Sequence, residues 1–422
     1  MANTLKLGAG KWATGKDTVL SFNDENGNFK PLPFSFSRAS SATVVNQSGL
    51  IETVGSGEPR IDFLGNTKGA LLLEPQRTNV LDNSSNFFLG SWSGTRVING
   101  STINAPDGNN EAHKLIATSV SNTHYREYTV SSASSGSYTG SCFFKKGEFN
   151  VGAIRMSVDS YANRIGVYIN LDNGTHLRTS TVGSPTGTSY KIEDYGNGWY
   201  RLSVSIIHTS GEVRMSLSNA SSDYSNSNGL PVFLGNNSDG GYSWGAQLEQ
   251  GSYATSYIPT SGQSGGVTRV ADTCEQTVPD GVIGQTEGTV FLDFNVDSIQ
   301  DNGRIFAIGD GGTNNRVLVR FETNGYLAFA STGGVFQWSH TEATLSLGRH
   351  KMAIAYALND VAFYVDGILV NSESTYSVPV TDKFYIGTSE YGGAENTNMK
   401  INNSKLYNTR LSNSELAALT TI

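Results

Sequence analysis

Apolar and polar residues alternate in short runs along almost the whole chain, and Gly, Ser and Asn interrupt the runs at close intervals. This period of two, in segments too short for helices, predicts strands. Over 82–260 it predicts strands at 112–117, 125–130, 136–145, 151–158, 164–170, 190–195, 199–207, 212–218 and 230–234, with one more inside 242–259. DYGNGWYRLSV at 194–204 is the clearest: a tight turn, then Trp199, Arg201, Ser203 and Ser205 on one face and Tyr200, Leu202, Val204 and Ile206 on the other. The pattern is that of a half-buried strand, with Trp199 packed beside a loop. Over 286–422 it predicts strands at 289–296, 304–309, 316–322, 326–330, 350–357, 361–365, 383–388 and 399–406. Asp366-Gly367 after VAFYV predicts a tight hairpin. Ser412-Asn413-Ser414-Glu415 matches a capping box before Leu416, so one short helix closes the chain.

The first 81 residues read differently. Residues 1–33 form an arm with short strands at 5–7 and 19–22, a turn at 23–28, and Pro31 and Pro33, which should bar a regular ladder. Such an arm is too small for a core of its own and must pack on the next segment, on another subunit or on a larger assembly. Residues 34–81 pair short strands around an Asn46-Gln47-Ser48-Gly49 turn and carry Arg38, Glu58, Arg60, Asp62, Lys68, Glu74 and Arg77. At a surface these charges pair across strands for a few tenths to about 1 kcal/mol each. The organisation expected is an N-terminal docking arm (1–33), a β collar (34–81), a carbohydrate-binding-module-like sandwich (82–260), a linker (261–285) and a second jelly roll (286–422). The fold class is all-β, two antiparallel β-sandwich domains in tandem after the arm and collar.

Composition supports this class. The 422 residues include 48 Gly, and only 16% are charged, while 19 Tyr, 19 Phe and 5 Trp supply apolar surface to bury, which separates the chain from disorder. A net charge of −8 disfavours nucleic acid as a partner. Cys142 and Cys274 are far apart and suggest no disulfide framework, in keeping with synthesis in a reducing cytoplasm. The N-terminus has no signal-peptide core and no window has transmembrane character, so neither Sec export nor membrane insertion is expected.

Catalytic patterns are missing. The six histidines are scattered singly, with no zinc-binding spacing and no nucleophile elbow. Glu193 and Asp194 are adjacent and point to opposite faces; Asp293 and Asp297 are evenly spaced but lack a Glu on the same face, so the paired carboxylates of a glycosidase are not formed. Binding fits better. Loops at 310–315, 337–340 and 390–398 carry the aromatic and amide chemistry of sugar recognition, with Trp338, His340, Asp310 and Asn314 as glycan-contact candidates. No cofactor or metal site is implied, calcium being the one ion such loops could take.

The segments SRASSATVV, GLIETV, EPRIDF and GALLLEPQRTNVL, followed by DYGNGWYRLSV, QLEQGSYATSYIPTSG and VTRVAD, resemble a signature of virion proteins of tailed bacteriophages, including the crAss-like phages of gut Bacteroides. VAFYVDG and KLYNTRLSNSELAAL resemble concanavalin A-like or laminin-G-like jelly rolls. The resemblance implies a non-enzymatic fibre, spike or head-decoration subunit, made in the host cytoplasm and located in the virion. It implies other virion proteins as partners, homo-oligomerisation as a trimer, and attachment to host-surface polysaccharide. It places Arg38, Asp62, Glu74 and Arg77 at polar positions of the signature, in an assembly or docking role. The competing expectation is a tail-associated polysaccharide-degrading glycoside hydrolase.

Overall fold

The computed structural model describes residues 4–25, 28–278, 280–391 and 396–422, with only the backbone described for residues 4, 20–25 and 28–33. The protein is all-β apart from one helix, as the alternation requires. Among the described residues no helix is long and apolar enough to cross a membrane.

The chain divides into two compact units, but not at the expected places. Residues 1–47, 53–76 and 270–422 form one unit, and 48–52 with 77–269 form the other. The sandwich expected over 82–260 is thus inserted into the jelly roll expected over 286–422, to which the arm and most of the collar belong. The reason lies in strand pairing. Thr4–Gly8 pairs with Met399–Tyr407, Thr18–Glu25 with Asn28–Ser37, and Asn28–Ser37 with Thr273–Thr277, a strand within the expected linker. The turn expected at 23–28 includes residues 26–27, which lie outside the described residues. Pro31 and Pro33 do sit in a regular ladder, opposite Phe22 and Leu20. They share one side of the strand, and its second partner, Thr273–Thr277, pairs only with Ser35 to Ser37, so the missing N–H groups fall where a strand edge tolerates them.

The N-terminal strands make the jelly-roll sheet continuous. From one end it runs Val335–Glu342, Tyr326–Thr332, Arg316–Phe321, Arg304–Gly309, Lys383–Ile386 and Thr273–Thr277. It then passes through Asn28–Ser37, Thr18–Glu25 and Thr4–Gly8 to Met399–Tyr407, Glu287–Val296, Gly348–Ala357, Asp360–Val365 and Ile368–Glu373. The two ends face each other across one core: Tyr326 meets Phe363 edge-on at 5.7 Å and Trp338 meets it at 6.2 Å. Phe34 closes the core against Phe384 at 5.8 Å. Asp366 and Gly367 take φ of 50° and 85°, the left-handed pair a two-residue primed turn needs between Val365 and Ile368. The helix Asn413–Thr420 has its capping box and buries Leu416 against Phe291, Ala353, Ala355, Ala362 and Tyr364. That burial contributes about 1.5–3 kcal/mol, more than the cap.

Four of the seven collar charges, Arg38, Arg60, Asp62 and Glu74, are buried rather than solvated, while Glu58 and Lys68 are exposed as expected. Arg38 Nη1 lies 3.2 Å from Asp272 Oδ1, Arg60 Nη1 lies 2.6 Å from Glu74 Oε2, and Arg60 Nη2 bonds Asp272 Oδ2. Their side chains are 0–3% exposed. Asp272 Oδ2 also accepts the Glu74 N–H at 2.9 Å, and Arg38 donates to the carbonyls of Ser40 and Gly55 at 2.8 and 2.6 Å. Burial opposes charge on Arg60, but Asp272 and Glu74 more than offset it and raise its pKa.

The inserted unit is a sandwich of two six-stranded sheets. One places Val151–Val158 between Val213–Ala220 and Asn163–Asn170; the other places Gly136–Lys145 between Gly240–Gln250 and Trp199–His208. Ile154, Met156, Leu202, Val204, Ile206, Met215 and Leu248 meet in its core. Trp199–His208 is buried on both faces, not one. Its Arg201 donates to the Thr255 carbonyl at 2.8 Å, because the segment after Gln250 folds back over the polar face. Gln247 and Glu249 anchor that segment: Gln247 Oε1 accepts the Ile258 N–H at 2.7 Å and Glu249 Oε1 the Thr255 N–H at 2.8 Å. Trp199 is 3% exposed, as expected of a packed ring. Cys142 and Cys274 are both buried and free, their thiol pKa values pushed up by burial.

Asp272→Ala leaves Arg38 and Arg60 charged and under-compensated in the interior, so it should destabilise the jelly-roll unit by about 3–5 kcal/mol in urea denaturation. A second outcome concerns His350. Burial opposes its protonation, but Asp366 Oδ2 at 2.7 Å and the Ser346 carbonyl outweigh this and raise its pKa. The folded pKa therefore exceeds the unfolded value of about 6.5. The contribution is complete below that value and is lost as pH rises through the folded pKa. Stability measured from pH 5 to 9 should fall across this window in the wild type and stay flatter in His350→Gln.

Candidate functional site

The outer face of the jelly roll carries a cleft of about 620 Å3 lined by polar residues of three neighbouring strands and two loops. On Glu287–Val296, Leu292, Phe294 and Val296 enter the core, so Asp293 and Asn295 turn outward. On Gly348–Ala357, Met352 and Ile354 enter the core, and Arg349 and Lys351 turn outward. Further along both strands the outward residues are apolar, Phe291, Ala353 and Ala355, and lie under the helix. The helix thus covers one end of the face and leaves the polar end open.

The third strand, Met399–Tyr407, breaks its alternation there. Its register against Glu287–Val296 pairs Asp293 with Asn403 but Phe294 with Ile401, so Asn402 is an extra residue. This β-bulge puts both Asn402 and Asn403 in the cleft lining. The extra residue is held from several sides: its carbonyl accepts the Ala9 N–H at 2.8 Å, and its Nδ2 donates to Asp293 Oδ1 at 3.0 Å and Asn295 Oδ1 at 2.9 Å. Its Oδ1 accepts from Asn66 at 3.0 Å, which ties in the loop 64–69. Trp12, half-buried beside this loop, donates its indole N–H to the Gly69 carbonyl at 3.2 Å.

Asp293 and Arg349 form a bidentate pair at 2.9 and 2.6 Å, which raises the Arg349 pKa and leaves its Nη1 without a hydrogen bond among the described residues. Lys68 is exposed on the rim. Asn403 Oδ1 is buried without a hydrogen-bond partner among the described residues. The cleft therefore offers guanidinium, ammonium and amide donors together with an acceptor of its own. Among its lining residues Asp293 is the only carboxylate.

The residues singled out in the sequence lie elsewhere. Trp338 is 4% exposed and points into the core, donating to Asn371 Oδ1 at 2.9 Å; its ring is not available to stack on a sugar. His340 follows it on the same side of the strand, half-buried against Tyr326 and Phe363. Asp310 and Asn314 are exposed on one turn, where they brace structure: Asp310 accepts from the Gly312 N–H and from Asn315, both at 2.9 Å, and the Asn314 carbonyl accepts the Gly334 N–H at 3.0 Å. The 390–398 loop lies partly outside the described residues. Arg38 and Glu74 are in the buried ion cluster. Asp62 is 5% exposed, 3.5 Å from Lys400, with its pKa pushed up by burial. Arg77 lies in the inserted unit, over the Tyr253 ring at 5.0 Å and 4.0 Å from Glu249. Among the described residues no three His, Cys, Asp or Glu side chains cluster as metal ligands would.

Residues 272–417 match the Laminin_G_3 family, described as the concanavalin A-like lectin/glucanases superfamily. That stretch is a concanavalin A-like, laminin-G-like domain, to which the strands before residue 76 are added. No curated protein shows a significant match. Among similar solved structures is the CBM40 domain of the Ruminococcus gnavus IT-sialidase bound to α2,3-sialyllactose, 16% identical, covering 33% of this chain and 84% of that one with a TM-score of 0.30. Domain 4 of AbnA, a GH43 extracellular arabinanase from Geobacillus stearothermophilus in complex with arabinotriose, is 14% identical, covering 36% of this chain and 73% of that one with a TM-score of 0.30.

Gly69 carries the loop at φ 69°, and a Cβ there would sit 2.6 Å from Ile61 Cγ2. Gly69→Ala should therefore cost more than about 1 kcal/mol. It should also speed amide hydrogen exchange at 64–69 while the inserted unit exchanges unchanged.

Proposed function

We propose that the chain is a non-enzymatic attachment protein that binds surface glycans through the Asp293–Asn403 cleft of its jelly-roll unit. The observation that carries this reading is the cleft itself: a rigid sheet face presenting amides, a bidentate-held guanidinium and an unpartnered acceptor. These are groups that hydrogen-bond sugar hydroxyls. A hydrolase reading finds less support, since both glycosidase mechanisms need two carboxylates and the cleft is lined by one, already held by Arg349. The signature between Arg38 and Asp272 supports placing the protein in a tailed-phage virion, as a homo-oligomeric fibre, spike or head-decoration subunit with host polysaccharide as its target.

The test is retention on a glycan array that includes host-surface polysaccharides. Binding is expected, with Arg349→Ala and Asn403→Ala each weakening it about tenfold, the loss of a charge-assisted or buried hydrogen bond. No retention above background would sink the reading, and release of reducing ends from the polysaccharide would replace it with a hydrolase.

A further inference from the structure

The cleft runs against the charge of the rest of the molecule. The chain carries a net −8, yet the charged lining residues are Lys68, Arg349 and Lys351 against Asp293 alone. Asp293 is committed to Arg349, so that pair is neutral and the two lysines are an excess. Lys405 and Lys6 face each other across neighbouring strands beside it. Like charges so placed are unfavourable. Burial first, then Lys6 and Lys351, lower the Lys405 pKa. Lys351 donates to the Thr421 carbonyl at 2.5 Å, a contact that orients the ammonium without neutralising it.

Hydrogen bonding narrows the ligand further. Asn403 Oδ1, buried and without a partner among the described residues, needs a donor. A bare inorganic anion such as sulfate supplies none, whereas a sugar ring supplies hydroxyls. A neutral sugar, conversely, leaves the lysine excess uncompensated.

We infer that the cleft selects acidic sugars, its lysines taking the carboxylate of a uronic-acid-type residue while Asn403 and Asn295 take ring hydroxyls. This rests on the glycan-binding reading and specifies the ligand class. Nothing in it requires a metal or a covalent step.

The experiment uses the full chain on an array of uronic-acid oligosaccharides, tetragalacturonate among them, each printed beside its carboxyl-reduced neutral counterpart, with titration calorimetry on the best pair. The acidic member should bind at least about tenfold tighter at low salt, and the gap should narrow near 1 M salt, where the screening length falls to about 3 Å. Lys68→Ala and Lys351→Ala should each weaken the acidic member by about fivefold, the effect of one partly exposed ion pair, and the neutral one by less than about twofold. Lys68 is a surface residue, so its variant folds whatever the outcome. Equal binding of both members, or insensitivity to both lysine variants, overturns the acidic selectivity and leaves glycan binding standing. Binding of inorganic sulfate as tight as that of tetragalacturonate overturns it as well. Absence of binding to every member of the array overturns the glycan-binding reading itself.

Discussion

Four charges, Arg38, Arg60, Glu74 and Asp272, meet in the interior where the chain leaves the jelly roll and returns to it. The Asp272 N–H also donates to the Glu74 carbonyl and the Glu74 N–H to the Asp272 carboxylate, so the outgoing and returning segments are clamped side by side. Almost two hundred residues intervene between them, and the clamp makes that separation irrelevant to the jelly roll's own core. Taking four charges out of water is costly, and the cost is met only because the set is balanced and its guanidinium groups also bond backbone carbonyls. Removing one member is therefore worse than removing a surface pair. The clamp works as a fastening between segments distant in sequence more than as a source of net stability.

With that closure made, the N-terminal strands become part of the sheet, and the cleft depends on them. The end of Thr4–Gly8 receives the carbonyl of the bulged Asn402, the loop 64–69 reaches its side chain, and Trp12 ties the two together through Gly69. A lectin-like core from residue 272 onward would keep Asp293, Arg349 and the bulge, but not the rim. The extra residue in one strand and the two N-terminal segments are thus one device that converts a flat sheet face into a concave polar site. The helix performs the opposite task at the other end of the face, where Leu416 covers an apolar patch.

The charge distribution gives that site its character. An acidic molecule gathers cations on this concave polar face, and the single acid in its lining is spent on positioning Arg349. In the low-dielectric shelter of a cleft such an excess is felt more strongly than on open surface. The inserted unit uses its buried polar groups differently: Gln247, Glu249 and Arg201 hold the chain's own returning segment and leave that face covered.

Alternation alone determined the all-β class and most interior strands. Leu230–Leu234 and Arg304–Gly309 fall where the pattern put them, as do the Asp366-Gly367 turn and the Ser412–Glu415 cap. These are local properties, written in period, turn chemistry and capping residues. Four strands it did not reveal, Val97–Asn104, His176–Val182, Val335–Glu342 and Ile368–Glu373, lie at sheet edges and are largely exposed, so no buried face imprints an alternation on them; Thr273–Thr277 is interior to its sheet but only five residues long, TCEQT, with no apolar alternation to read. The site was legible only in fragments. Asp293 was visible as a carboxylate, but Arg349, Lys68, Asn402 and Trp12 gave no shared signal, because they come from segments up to almost four hundred residues apart. The sequence by itself determined which residues can be strand, turn or core. Tertiary structure decided which strands become neighbours, hence that Trp338 faces inward, that Arg38, Arg60 and Glu74 are buried and that a bulge opens a cleft, since these depend on long-range pairing that no local pattern encodes.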